Sequence, residues 1–131
     1  MTAELTAILA AVGFVVIAGF QAAVALGAPF GAAAWGGTRP GRLPSRLRVA
    51  SAFACVLWLF AAVVVLDRGG SEVVSLPSAL ARWGTWALVV LLPIGALLNL
   101  ASTSRWERFV WGPLALVLAV LCLVVALGAD A

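Results

Sequence analysis

The stretch Val49-Ala-Ser-Ala-Phe-Ala-Cys-Val-Leu-Trp-Leu-Phe-Ala-Ala-Val-Val-Val-Leu66 decides the fold. It holds no charged residue and is bounded by Arg48 on one side and Asp67-Arg68 on the other. About 20 apolar residues in a helix cross a hydrocarbon layer about 30 Å thick. Polar and apolar residues do not alternate along it, which excludes a strand of a membrane barrel. A helix remains, because backbone polar groups in lipid must be satisfied within their own segment. Working outward, three more stretches read the same way: residues 5–26, 80–100 and 109–127, with Gln21 the only strongly polar residue inside the first. The expected fold is all-α, an integral membrane four-helix bundle forming one domain over residues 1–131.

Composition agrees. Of the 131 residues 65% are hydrophobic, and the mean hydropathy is +1.18. A soluble domain is about 45–50% apolar. The excess is too large for one small core, since a small domain leaves much of its surface in solvent. All eight basic residues are arginine, and the net charge is +3. These arginines flank apolar spans rather than forming a stripe on a soluble face, so a nucleic-acid partner is not expected.

Arginine placement sets the expected orientation. Arg39, Arg42, Arg46 and Arg48 lie between spans one and two, and Arg105 and Arg108 between spans three and four. The opposite side holds only Arg68 and Arg82. Basic residues in short loops favour the cytoplasm, so loops 27–48 and 101–108 are expected inside and both termini outside. The first span is not read as a secretory signal, because Glu4 stands where a basic segment belongs and the apolar run is too long. Ser104-Arg-Trp-Glu107 fits a capping box, with Ser104 at the N-cap and Glu107 at the third helical position. Asp67-Arg-Gly-Gly70 reads as the stop of span two, and Pro77-Ser78 as the start of span three. Trp83, Trp86, Trp106 and Trp111 are expected at the membrane interfaces, whereas Trp58 falls mid-span and is expected to pack inside the bundle. Small residues spaced four apart, such as Ala7 with Ala11 and Ala115 with Ala119, let helix backbones approach closely.

Most chemistry is disfavoured. The chain has no histidine, hence no imidazole base and no histidine metal ligand. Glu4, Asp67, Glu72 and Asp130 fall at ends or in the loop expected outside, and Glu107 is accounted for as a cap. Phosphate-cradling, dinucleotide and nucleophile-elbow motifs are absent. Cys55 and Cys122 are expected about 10 Å and about 20 Å into their helices from the cytoplasmic end, too far apart for a disulfide. A non-enzymatic protein is expected, with no catalytic residues, no metal site and no cofactor.

Three features carry what functional signal there is. The loop after span one, with Gly27-Ala-Pro-Phe-Gly31 and Trp35-Gly-Gly-Thr-Arg-Pro-Gly-Arg-Leu-Pro44, is long for a helix connection and too aromatic to float in water. It reads either as a segment lying on the inner leaflet with arginines on lipid phosphates, or as a topology-setting loop broken by glycine and proline. The polar residues within the spans, Gln21, Ser51 and Asn99 with Ser102, all fall at the depth of Arg46, Arg48, Arg105, Glu107 and Arg108. Together they would form a pocket for an anionic head group, which arginine grips through its planar fork. The other reading is ordinary hydrogen bonding between helices plus an Arg–Glu pair. Pro93 with Gly95 interrupts span three, either as a structural kink or as the break around which a transport site forms.

The chain resembles a broad set of small bacterial four-span membrane proteins. The features that carry the resemblance are Gly27-Ala-Pro-Phe-Gly31, Gly36-Gly37, Leu43-Pro44, Arg48, Asn99, Ser104-Arg-Trp-Glu-Arg108 and Trp111-Gly-Pro113. The resemblance implies a multi-pass protein of the bacterial cytoplasmic membrane and marks the two arginine-bearing loops as distinctive, without implying an activity. The functional expectation is therefore a small membrane protein that binds anionic lipid or another amphiphile, or serves as an accessory subunit. Membrane lipids are the expected partners, with a second membrane protein or another copy of the chain also open. The alternative is a small oligomeric channel or transporter using Gln21, Asn99 and the Pro93 break.

Overall fold

The computed structural model describes all 131 residues. Four helices account for nearly the whole chain: α1 (Ala3–Ala25), α2 (Ser45–Arg68), α3 (Ser78–Leu100) and α4 (Gly112–Asp130). Each is long and apolar enough to cross a membrane, and no strand is present. The protein is a multi-pass membrane helix bundle. α1 packs most extensively on α2 and α3 on α4, with α1–α4 and α2–α3 closing the ring. One end carries both termini and the short α2–α3 connection; the other carries the two arginine-bearing loops.

The helices run past the purely apolar stretches. α2 begins at Ser45, where Pro44 at φ −66° and ψ 160° leads into the first turn, and ends at Arg68. α3 starts at Ser78 behind Pro77 and continues through Pro93 to Leu100. A wide turn, Glu107–Trp111, precedes α4, and its closing bond runs from the Gly112 amide to the Glu107 carbonyl. Pro113 follows directly. Its ring lacks an N–H and clashes with the carbonyl four residues back, and a wider turn relieves that conflict.

Small side chains build the core. Ala7, Ala10, Ala11 and Phe14 of α1 meet Ala61, Ala62 and Val65 of α2, Leu92 of α3, and Leu118, Ala119, Cys122 and Val125 of α4. This cluster runs from mid-bundle to the terminal end. Between helices in lipid the attraction comes from close packing rather than from expelled water, so alanine here is the contact residue itself. Trp58 stacks on Phe14 with ring centroids 5.7 Å apart, inside the bundle as its mid-span position predicts. Apolar side chains such as Phe53, Val90, Leu97 and Val117 stay more than half exposed around the outside, a surface suited to lipid.

Candidate functional site

The loop between α1 and α2 does not hang from the bundle; it folds back over its end. The Gly31 amide donates to the Gly41 carbonyl at 2.8 Å and closes the loop at its neck. A Cβ at Gly31 would stand 1.9 Å from the Arg39 carbonyl oxygen, so no other residue fits that crossing. Beyond the neck, Trp35, Gly36 and Gly37 have φ of 50°, 86° and 70°. A bulky residue such as Trp35 seldom takes a left-handed conformation, and the surrounding bonds hold it there. Its indole Nε1–H donates to Ser51 Oγ at 2.8 Å. Ser51 lies six residues into α2, about 9 Å along the axis, which measures how far the loop reaches into the bundle.

The start of α4 supplies the remaining latches. Ser104 Oγ donates to the Ala32 carbonyl at 2.7 Å, and Trp111 Nε1–H donates to the Ala33 carbonyl at 3.1 Å. Glu107 Oε2 accepts the Gly36 amide at 3.0 Å, while Oε1 accepts the Ser102 hydroxyl at 2.6 Å. Half of the expected capping box forms, the Glu107 amide donating to Ser104 Oγ at 3.3 Å. The reciprocal half does not: the carboxylate turns to the loop instead, and Ser102 Oγ accepts the Ser104 amide at 3.1 Å. Reading Glu107 as a cap alone is therefore corrected. Its side chain, only 9% exposed, ties the two loops together.

Beneath this latched loop lies a cavity of about 670 Å³, enclosed by all four helices. At its loop end are Gln21, Gly36, Asn99, Ser102 and Glu107; deeper are Ile17, Trp58, Leu92 and Ala115. Polarity thus falls with depth. Leu91 and Leu98 of α3 both line the cavity and are 61% and 70% exposed, so its mouth opens sideways along α3, where lipid would lie. The volume falls within the roughly 300–1,000 Å³ of small-molecule sites.

The residues singled out in the sequence divide. Gln21 and Asn99 are brought together on the cavity wall. Asn99 Nδ2 donates to the Gly95 carbonyl at 2.9 Å, while Gln21 Oε1 is buried without a partner. Ser51 is fully buried and serves as the acceptor for Trp35. None of Arg46, Arg48, Arg105 and Arg108 lines the cavity. Arg48 Nε donates to the Ala25 carbonyl at the end of α1, at 3.1 Å, and Arg108 lies over the Phe109 ring at 5.5 Å. Arg46 and Arg105 are exposed. The expected ring of guanidinium groups is therefore outside the pocket, on the rim. Four lining residues escaped sequence reading. Glu107 had already been assigned as a cap, and Trp111 as an interfacial anchor. Trp35 and Gly36 stand 71 or more residues from α4's first turns, and the pair Gly36-Gly37 beside a tryptophan was the available hint of left-handed backbone.

No family model, curated protein or solved structure matches the chain. Function has to be argued from the geometry alone.

Proposed function

We propose that this is a non-enzymatic protein of the bacterial cytoplasmic membrane that admits an amphiphile sideways from the inner leaflet into the cavity under the latched loop. The single observation behind this reading is the polarity gradient of a cavity that opens at α3. An amphiphile entering along Leu91 and Leu98 would place its chain against Ile17, Trp58 and Leu92 and its head near Asn99 and Glu107. Anionic lipid belongs to the rim, on exposed Arg46, Arg105 and Arg108, where phosphate contacts are made in headgroup solvent. A binding role fits better than a conducting one, because the core from Phe14 to Val125 fills the terminal half of the bundle.

Native mass spectrometry of the protein released from bilayers of mixed neutral and anionic phospholipid tests both parts. One amphiphile is expected to stay bound through activation that strips other adducts, and Ala115→Phe, which fills the cavity, should abolish that retention. Joint replacement of Arg46, Arg48, Arg105 and Arg108 by Gln should remove the weaker anionic adducts only. Retention unaffected by Ala115→Phe would overturn the cavity reading.

A further inference from the structure

The polar end of the cavity has a composition that selects a head group. We infer that the cavity takes a single-chain amphiphile with a cationic, hydrogen-bond-donating head, an organic ammonium, with Glu107 as its counter-charge. This deepens the reading just given and rests on it.

The one charged group on the cavity wall is an acceptor, Glu107. Gly36 N–H and Ser102 O–H are both spent on Glu107, and one of the two Asn99 Nδ2 hydrogens is spent on Gly95. The indole N–H groups of Trp35 and Trp111 are spent on Ser51 and on Ala33. Among the wall groups, the Gln21 amide and the Thr103 hydroxyl retain the capacity to donate, and each can equally accept. Asn99 also keeps its second N–H beside a free Oδ1, so the neutral groups offer donors and acceptors alike, and only the remaining lone pairs of Glu107 carry charge. A carboxylate has about four lone-pair sites, and neutral donors occupy two of them here.

Charge points the same way. Glu107 is nine-tenths buried, yet no arginine nitrogen lies within the 4.0 Å of an ion pair; both ion pairs in the protein belong to Asp130 at the other end. A buried carboxylate without a counter-ion is costly unless something compensates it. Six arginines stand at this end of the bundle, in the two loops and the adjoining helix starts, and the fold turns all of them elsewhere. The missing positive charge is left to an occupant of the cavity. The rings of Phe20 and Trp111, with centroids 4.6 Å apart, line the same end, and aromatic faces attract ammonium groups. An anionic head would meet the carboxylate and have few donors to replace its water.

The test uses full-length protein in phosphatidylcholine nanodiscs, titrated calorimetrically with dodecylamine, dodecanol or dodecanoate and corrected by empty nanodiscs. Dodecylamine should bind saturably and about tenfold or more tighter than dodecanol, with dodecanoate weakest. Glu107→Gln keeps an acceptor for Gly36 and should bring the amine down to the level of the alcohol. Unchanged alcohol binding by that variant reports an intact cavity. Equal saturable binding of all three probes, or tightest binding of dodecanoate, overturns the head-group inference while the cavity reading stands. No saturable binding, or binding undiminished by Ala115→Phe, overturns both.

Discussion

The two ends of the bundle each set an acid among arginines and use it in opposite ways. At the terminal end Asp130 gathers positive charge. It pairs with Arg68, lies 3.5 Å from Arg82 Nε, and accepts the Trp86 indole N–H at 2.9 Å. At the loop end Glu107 gathers only neutral donors, although arginines are three times as numerous there as among Asp130's partners. The first arrangement is a charge clamp that joins α2, α3 and α4 in partial contact with water. The second keeps a buried carboxylate free of cations and aimed at a cavity. An acid that is neutralised locally serves the fold; one that is held apart from nearby arginines remains able to meet a ligand.

The sharpest way to break this comparison is to open the latched loop. Gly31→Ala would set a Cβ against the backbone oxygens of Arg39 and Gly41, at 1.9 and 2.7 Å. Backbone on both sides cannot yield as a flexible side chain would, so the loop should unlatch at a cost of about 3 kcal/mol. Trypsin should then cut after Arg42 many times faster than in the parent, the Arg39–Pro40 bond being resistant to it, while the Asp130 clamp stays intact. A parent-like digestion rate would mean that the loop is not held as described.

Next in size is the contest between the two acids. Glu107→Ala leaves the Gly36 amide and the Ser102 hydroxyl without their acceptor in a buried place, which costs about 1–3 kcal/mol. Asp130→Asn acts at an exposed site and keeps one of the two acceptor oxygens that Trp86 and Arg68 use. Thermal unfolding in detergent should therefore show a larger drop for Glu107→Ala than for Asp130→Asn. The reverse order would show that the clamp, and not the latch, organises the bundle.

Why the helices were easier to foresee than the latch or the clamp has a physical answer. A span announces itself locally: Val49–Leu66 is apolar except for Ser51, and lipid leaves it only the helix. The observed α2 adds a turn at its start, because a helical backbone continues into the polar zone until Pro44 stops it. Gln21 and Asn99 were visible because polar groups are rare in such surroundings, and both reach the cavity. Ser51 was visible too, but its partner, Trp35, comes from a loop that had no local reason to fold inward. The arginines misled because their number at that end set the topology and said nothing of where each fork points. Arg48 turned to the last carbonyl of α1, a common way to satisfy a helix C-terminus. Glu107 was hidden by a sufficient local explanation, the capping box, of which only the backbone half forms.

The smallest expected effect probes how the loop end is held from below. Trp35→Phe keeps an aromatic ring but removes the N–H that reaches Ser51, and Ser51→Ala removes the acceptor from the other side. Each should cost about 1 kcal/mol, the net worth of one hydrogen bond plus the group it leaves unpaired. The double variant should cost much less than the sum, giving a coupling of about 0.5–1.5 kcal/mol in a cycle measured by thermal unfolding. Part of the loss is offset in any Trp35 variant that relaxes φ from 50°, since a left-handed conformation at a non-glycine residue costs about 1–2 kcal/mol. Trp35→Gly therefore serves as the control: it relieves the strain and loses the bond at once. If the cycle gives no coupling, the indole and the hydroxyl act independently. The loop would then hang from the α4 contacts alone, and the depth of its insertion beside α2 would have no energetic anchor.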